Sequence, residues 1–320
     1  MRTRSDRLVA VATLGALVVV AGILGLISMY LGAVTQATSG VPRSGSLPDY
    51  EGLPSGAQTE GGAVPMRYLV LVTEPSGRLA SAYLAQLSSS RDEMRLIGLP
   101  ANLLVGDAMG AQSTLAAQAG QGGAQAVRTV EMLLGVRIDH LIRVELEGLT
   151  RIIDVLGGVT VDNRLEVAAE GWHFPAGELR LNRADAEVYL TATKQPLSRL
   201  ERTQAVTVEI FRGLIGGDAL ANPAKVEAIG EVLNDCVTVD ASLTPGEIRR
   251  MAFDLHLDAG SITGTPLPFA GVSELAGEQV VVPDTDSVKT LTAALQGDTL
   301  AAWAHTQRAP WRDLTQLPPR

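Results

Sequence analysis

The hydrophobic positions between residues 66 and 296 change their spacing repeatedly, from short apolar or alternating runs to the three-and-four spacing of amphipathic helices. Runs typical of strands lie at 67–73, 94–99, 140–146, 157–161 and 279–282. Segments with helical spacing lie at 124–134, 149–156, 184–189, 200–215, 223–233, 245–255 and 286–295. Strands that alternate with helices predict an α/β domain, layered as α/β/α around a mixed central sheet.

Residues 8–34 form a long apolar run without any charged side chain. At 1.5 Å per residue this run exceeds the hydrocarbon thickness of a bilayer and predicts one transmembrane helix. Three arginines lie in residues 1–7, so the positive-inside rule places that segment in the cytoplasm and the rest outside the cell membrane. A cleaved signal peptide is the alternative, but the run is longer than a typical signal core.

The segments on either side of the predicted domain have a different composition. Residues 35–65 are rich in Gly, Ser and Pro, which predicts a flexible extracytoplasmic tether. Residues 297–320 are interpreted as a C-terminal tail, because their end shows no amphipathic period. These boundaries leave 66–296 as the folded domain.

Composition and charge exclude some classes of function. The formal net charge of −9 argues against a nucleic-acid binder, which needs a basic surface. The single cysteine, Cys236, forms no intrachain disulfide and is predicted to be buried beside Leu233 and Val237. The four histidines share no metal-ligand spacing. The glycine cluster at 120–123 lacks the Lys-Ser or Lys-Thr pair of a phosphate-binding loop, and we interpret it as a loop before a helix.

A series of short motifs follows this loop in a definite order. Thr-Val-Glu (129–131), Leu-Gly (134–135) and Ile-Asp (138–139) precede a predicted strand, and Asp-Val-Leu-Gly-Gly-Val (154–159) follows it. Further along the chain come Leu-Asn (181–182), Ala-x-x-Tyr (186–189), Arg199, Glu201, Arg202 and Gln204. In order and spacing the motifs resemble the LytR–CpsA–Psr (LCP) family, whose domain is also called the cell envelope-related transcriptional attenuator domain.

This resemblance implies a chemistry of phosphate transfer. Members of the family look like phosphotransferases that attach a polyprenyl-pyrophosphate-linked glycopolymer to peptidoglycan. Arginine suits such a substrate because it is permanently charged and binds phosphate bidentately. The resemblance gives Arg199, Arg202 and Arg78 as candidate phosphate-binding residues and Glu74 as a candidate metal ligand. Mg²⁺ is implied as a cofactor only if the protein is catalytically active.

The sequence departs from the family pattern at most of its catalytic positions. Ala80, Ala101, Asn102, Thr191 and Thr193 stand where the family has aspartate or arginine. A transition-state arginine contributes roughly 10³–10⁵ to the rate, so the loss of several such groups predicts a non-catalytic or weakly active relative. We expect it to lie at the cytoplasmic membrane. Its expected partner there is a polyprenyl (pyro)phosphate lipid or an envelope protein, and a cell-wall glycopolymer is a further possible partner.

Two other hypotheses remain open from the sequence. An active phosphotransferase would use Glu74, Asp92 or Asp107 as metal carboxylates beside the three candidate arginines. An unrelated extracytoplasmic α/β binding module would match the motifs by coincidence. A purely structural interpretation of Arg199 and Arg202, as partners of nearby glutamates on one helix, is equally compatible with the pattern.

Overall fold

The computed structural model describes residues 40–54, 64–106, 110–163, 166–169, 171–192, 196–216, 222–244, 246–247 and 262–306. Within these ranges no helix has the length and apolar character needed to cross a bilayer. The predicted transmembrane segment 8–34 lies outside the described residues, as does the predicted helix at 245–255 apart from residues 246–247.

The described strands and helices follow the predicted alternation. The strands are β1 (Met66–Thr73), β2 (Leu79–Leu87), β3 (Met94–Pro100), β4 (Leu104–Gly106), β5 (Gln112–Thr114), β6 (His140–Glu145), β7 (Val159–Asn163), β8 (Val167–Ala169), β9 (Trp172–Phe174), β10 (Gly177–Leu181), β11 (Val237–Val239), β12 (Ile262–Pro266), β13 (Phe269–Leu275) and β14 (Glu278–Pro283). The helices are α1 (Leu115–Gly120), α2 (Gly123–Leu134), α3 (Leu146–Leu156), α4 (Arg183–Thr191), α5 (Pro196–Gly216), α6 (Pro223–Cys236), α7 (Thr285–Gln296) and α8 (Leu300–Thr306).

Six strands form the central sheet in the order β11-β6-β1-β2-β3-β12. Strands β1, β3, β6 and β12 run parallel to one another, whereas β2 and β11 run in the opposite direction. The predicted mixed sheet is therefore confirmed. The carboxyl ends of β1, β3 and β6 meet at one edge of the sheet, which we call the carboxyl edge.

Helices cover both faces of this sheet and bury two apolar clusters. The first cluster joins one face to α3, α4, α5 and α6, with Tyr83, Ile153, Tyr189 and Ile210 among its members. The second cluster joins the other face to α1, α2, α7 and α8. Strands with an apolar layer on each side carry almost continuous hydrophobic runs, and for this reason the strand segments were visible in the sequence.

The chain flanking the predicted domain also packs against it. Val41 is only 2% exposed and belongs to the first cluster. The Ser44 N–H donates to the carbonyl of Val239, at 2.7 Å, so this segment covers the β11 edge of the sheet. Residues 40–54 thus pack on the domain, although their composition suggested a tether, because a few apolar side chains and edge hydrogen bonds are enough to hold them.

The packed region extends beyond residue 296, where the sequence analysis placed the start of the tail. Helix α8 buries Leu300 and Trp303 in the second cluster. The Trp303 indole N–H donates to the Thr290 hydroxyl at 2.9 Å, which ties α8 to α7. Two apolar anchors are too few to produce a helical period that can be recognised in the sequence.

Candidate functional site

The carboxyl edge carries the residues that the resemblance singled out. Glu74 directly follows β1 and begins the tight turn into β2. In that turn the Glu74 N–H donates to the Arg78 carbonyl at 2.8 Å, and Gly77 adopts a positive φ of 80°. The turn holds Glu74 and Arg78 beside each other at the position where mixed and parallel sheets commonly bind ligands.

Glu74, Arg78 and Arg199 form one ionic group, which we call the carboxyl-edge triad. The Arg78 Nε lies 3.0 Å from Glu74 Oε2, and the Arg199 guanidinium donates to Glu74 Oε1. The side chains of Glu74 and Arg199 are only 14% and 15% exposed, whereas that of Arg78 is 68% exposed. Two candidate phosphate-binding residues and the candidate metal ligand therefore lie together in the structure.

Arg202 lies one helical turn after Arg199, but its contacts differ. Its Nη1 donates to the Tyr189 carbonyl at 3.3 Å, and its guanidinium lies 5.2 Å from the centre of the Tyr189 ring. Burial lowers the pKa of Arg202. The contact satisfies a carbonyl in the last turn of α4, which is a common role of basic side chains at helix ends. These contacts give Arg202 a structural role that the motif alone did not reveal.

Tyr189 links Arg202 to a buried polar network. Its hydroxyl donates to Asn163 Oδ1 at 3.1 Å, and the Asn163 amide donates in turn to the carbonyls of Phe174 and Pro175. The Phe174 ring meets the Tyr189 ring edge-on at 5.4 Å. Burial raises the pKa of Tyr189 to about 12. The network fixes the end of α4 against β7 and β9, and sequence analysis missed Asn163 because an asparagine that ends a strand usually signals only a turn.

The positions that the resemblance predicts to be substituted are built into the packing of the domain. Ala80 is 1% exposed in the first apolar cluster, at a bulge where the register of β1 and β2 shifts. Ala101 belongs to the second cluster. The Asn102 amide donates to the Gln279 carbonyl at 2.8 Å, which fastens the end of β3 to β14. A charged side chain at Ala80 or Ala101 would be buried among apolar neighbours, which is unfavourable. Alanine at both positions is therefore compatible with the packing.

Thr191, where the resemblance predicts that an arginine has been replaced, lies in the last turn of α4. Its hydroxyl donates to the Glu187 carbonyl at 2.7 Å, within its own helix. Thr193 lies outside the described residues.

The described carboxylates do not assemble a magnesium site at the carboxyl edge. Both Glu74 oxygens accept hydrogen bonds from arginines. Asp92 lies in the turn between β2 and β3, at the opposite edge of the sheet, where it accepts from the Ser88 hydroxyl at 3.0 Å. Asp107 lies outside the described residues, and within them no group of three or more His, Cys, Asp and Glu could hold a metal ion. The described residues at the carboxyl edge therefore do not supply the several free oxygen ligands that Mg²⁺ prefers.

Comparison with known proteins finds the same family that the order of the sequence motifs resembles. The model of the LytR_cpsA_psr family matches residues 72–297. The cell wall biosynthesis protein LcpA of Corynebacterium glutamicum is 29% identical over 184 residues, which are 55% of this chain and 35% of LcpA. The polyisoprenyl-teichoic acid–peptidoglycan teichoic acid transferase TagV of Bacillus subtilis is 26% identical over 211 residues, which are 60% of this chain and 53% of TagV. The chain thus spans between a third and about half of the length of these relatives.

Solved structures share the fold. The LytR-Csp2A-Psr enzyme from Actinomyces oris superposes with a TM-score of 0.60 at 19% identity, covering 79% of this chain and 95% of that one. The crystal structure of B. subtilis TagV gives a TM-score of 0.59 at 21% identity, covering 74% of this chain and 97% of that one. The hypothesis of an unrelated module is therefore wrong, and this chain belongs to the LytR_cpsA_psr family.

Proposed function

We propose that this protein acts in cell-envelope biogenesis as a non-catalytic or weakly active LCP protein. It binds the phosphate head of a polyprenyl lipid at the carboxyl-edge triad and holds it for an envelope partner. In this proposal residues 8–34 anchor the chain in the cytoplasmic membrane and the domain lies outside. The proposal rests on the observation that Glu74 forms ion pairs with both Arg199 and Arg78.

The charge of the triad supports binding more than transfer. Two guanidinium groups and one carboxylate give the triad a net charge of +1, whereas a pyrophosphate carries several negative charges. Arg202 is not part of the triad, because its described contacts are with the carbonyl and ring of Tyr189. Phosphoryl transfer depends on positioned cations and metal ions. Because most of the triad's charge is neutralised, the rate of transfer should fall much more than the affinity for the lipid phosphate.

The relatives support a lipid as the ligand. TagV is named for a polyisoprenyl-linked teichoic acid. An isoprenoid chain is recognised by apolar side chains and not by arginines, so a loss of catalytic arginines leaves that part of the recognition intact.

An active phosphotransferase is the second candidate. The observation that favours it is that Arg78 and Arg199 converge on one point although they are far apart in the chain. A lipid pyrophosphate that displaced Glu74 would meet both guanidinium groups at once. Its relative TagV is named as a teichoic acid transferase that acts on a polyisoprenyl-linked polymer and peptidoglycan.

The test uses the full-length protein in detergent with polyprenyl phosphate and polyprenyl pyrophosphate, each with and without Mg²⁺. Arg199→Ala should weaken binding about tenfold or more, because it removes a charged hydrogen bond to the phosphate. Glu74→Gln should tighten binding by a similar factor, because it removes the negative charge that neutralises part of the triad. Arg183→Ala, an arginine on α4 that pairs with Glu187, is the matched control and should leave binding unchanged.

A transfer assay separates the two candidates. With peptidoglycan as the acceptor, transfer of the phosphoryl-glycopolymer to a peptidoglycan hydroxyl with release of polyprenyl phosphate, at a rate well above background, would favour the phosphotransferase. Binding that depends on Arg199 without such release supports the non-catalytic protein. Absence of binding by the folded wild-type chain would reject both.

A further inference from the structure

A pocket of about 160 Å³ lies on the face of the sheet opposite α5, at the β6–β11 edge. It is enclosed by the segment Ser44–Leu47, by the start of α2 and by side chains of β6 and β11. Leu141, one of its lining residues, belongs to the second apolar cluster, whereas α5 and Arg199 lie on the side of the first. The pocket is therefore separate from the carboxyl-edge triad.

Arg143 gives this pocket its charge. Its side chain projects from the middle of β6 on the same face as Leu141 and is partly buried. Within the part of the chain that the structure describes, no carboxylate lines the pocket or forms an ion pair with Arg143. A partly buried guanidinium without a counter-ion is unfavourable, particularly in a protein whose net charge is −9. The geometry therefore leaves a cation that an external anion would stabilise.

The start of α2 adds hydrogen-bond donors beside this cation. Gly122 is the N-cap and supplies no side-chain acceptor, and the first turn contains no acidic residue. The backbone N–H groups of Gly123 and Ala124 belong to the first turn, where a helix leaves its N–H groups without partners, and both residues line the pocket. The positive end of the helix dipole points in the same direction.

Gly123 makes this arrangement sterically possible. A Cβ at position 123 would lie 2.6 Å from Leu141 Cδ2 and 3.5 Å from Arg143 Nη2. The glycine therefore lets the first turn of α2 approach β6 closely, next to the Arg143 side chain. Within the glycine cluster 120–123, which matches no phosphate-binding motif, Gly123 thus has the role of allowing close packing of α2 on β6.

We propose that this pocket is a second anion site, which binds a phosphoryl group between the Arg143 guanidinium and the first N–H groups of α2. A tetrahedral oxyanion with nearly two negative charges presents several acceptors to a forked cation and to convergent N–H groups. Thr238, which pairs with Arg143 across the sheet, and the exposed Ser46 supply hydroxyl donors at the rim. The phosphoryl group comes either from a lipid headgroup or from phosphate in solution.

The experiment is calorimetric titration of the full-length protein with inorganic phosphate, with acetate at the same ionic strength as the comparison. Arg143→Gln should weaken phosphate binding about tenfold or more, because it removes a charge-assisted contact. Arg137→Gln, an exposed arginine in the loop before β6, is the matched control and should bind like the wild type. Phosphate should bind more tightly than acetate.

Ala124→Glu separates a binding role from a folding role. Ala124 is exposed in the first turn of α2, so a carboxylate there stabilises the helix while it competes for the anion site. The variant should keep or raise Tm and lose phosphate binding. Failure of the folded wild-type protein to bind phosphate at millimolar concentration would overturn the proposal, as would binding that survives both Arg143→Gln and Ala124→Glu.

A second titration with the soluble short-chain lipid dihexanoyl phosphatidate identifies the source of the phosphoryl group. If the lipid binds more tightly than inorganic phosphate and Arg143→Gln abolishes this binding, the result supports the site with a lipid headgroup as its ligand. Equal or weaker binding that is also lost in Arg143→Gln supports the site with phosphate in solution. Lipid binding that is indifferent to Arg143 counts against the site.

Discussion

Glu74 and Arg199 form an ion pair that joins the end of β1 to the first turns of α5, across 125 residues of sequence. Both side chains are largely buried, so the pair is held in place by the packing of α5 on the sheet. It brings the candidate metal ligand and a candidate phosphate-binding residue into direct contact. The pair therefore decides how much positive charge the carboxyl edge presents to a ligand.

The strength of this pair can be measured by a double-mutant cycle with Glu74→Gln and Arg199→Gln. Because the partners are in contact and shielded from solvent, we expect a coupling energy of about 0.5–3 kcal/mol in the free energy of unfolding. The corresponding cycle for Glu74 and the exposed Arg78 should give less than about 1 kcal/mol. Equal coupling in the two cycles would contradict the proposed difference in burial.

Tyr189→Phe removes the hydroxyl that donates to Asn163 and should lower the free energy of unfolding by about 1 kcal/mol. Asn163→Ala should cost more, because the carbonyls of Phe174 and Pro175 also lose their donor. Urea unfolding of both variants measures the difference. A larger effect for Tyr189→Phe than for Asn163→Ala would show that the network is not organised around Asn163.

Asp240 should make the protein sensitive to acid. Burial by itself would raise the pKa of this carboxyl, but hydrogen bonds from His140, Ser242 and the Leu141 N–H outweigh it and lower the pKa to about 2. A depressed pKa contributes stability above the ordinary value of 3.8, and that stability is lost as the pH falls from 3.8 to about 2. The contribution at neutral pH is about 2 kcal/mol.

The check for Asp240 is the slope of unfolding free energy against pH. Asp240→Asn should lower stability at pH 7 and flatten the loss between pH 4 and 2. Asp162→Asn, which changes an exposed carboxyl on β7, should leave that slope close to wild type. An unchanged acid slope in Asp240→Asn would contradict the assignment.

Gly148→Ala tests close packing between α3 and α6. Helix propensity alone predicts that alanine stabilises a helix by about 1 kcal/mol relative to glycine. A Cβ at position 148 would, however, lie 2.5 Å from the Cys236 Cβ, so we expect a net loss of about 1–3 kcal/mol. Gly213→Ala in α5 is the matched control, because its Cβ would meet the flexible Leu156 side-chain tip at 2.9 Å. Thermal unfolding should show a larger loss of stability for Gly148→Ala.

Trp303→Ala tests whether the chain beyond residue 296 belongs to the fold. Removing the buried ring and its hydrogen bond to Thr290 should cost about 3–5 kcal/mol in unfolding free energy. Trp303→Phe keeps most of the apolar contact and should cost less. A negligible effect of Trp303→Ala would show that α8 contributes little to stability.

Strand β2 shows where sequence analysis did not recognise an element of the fold. The segment Leu79–Leu87 is fully buried in the middle of the sheet, yet its alanine, serine and leucine residues have no strong strand propensity. Hydrogen bonds to β1 and β3 hold it as a strand. Those bonds come from neighbours in the tertiary structure, which local propensity does not include.

For Cys236 and for the loop at 120–123, by contrast, the predictions from the sequence were correct. Cys236 is buried, as its apolar neighbours predicted, and burial raises the pKa of its thiol. The glycine cluster lies at the junction of α1 and α2, where Gly120 ends the first helix, Gly123 begins the second and residues 121–122 form the loop. Both predictions succeeded because they depended on residues adjacent in the chain.

The sequence by itself determined the alternation of strands and helices and the family, and it predicted that positions such as Ala80 and Ala101 lack the family's catalytic residues. Only the tertiary structure decided that Arg199 meets Glu74 whereas Arg202 lies on Tyr189. The physical reason is that hydrophobic periodicity and turn propensity act between near neighbours along the chain. The direction of a long charged side chain depends on which helix and strand pack around it.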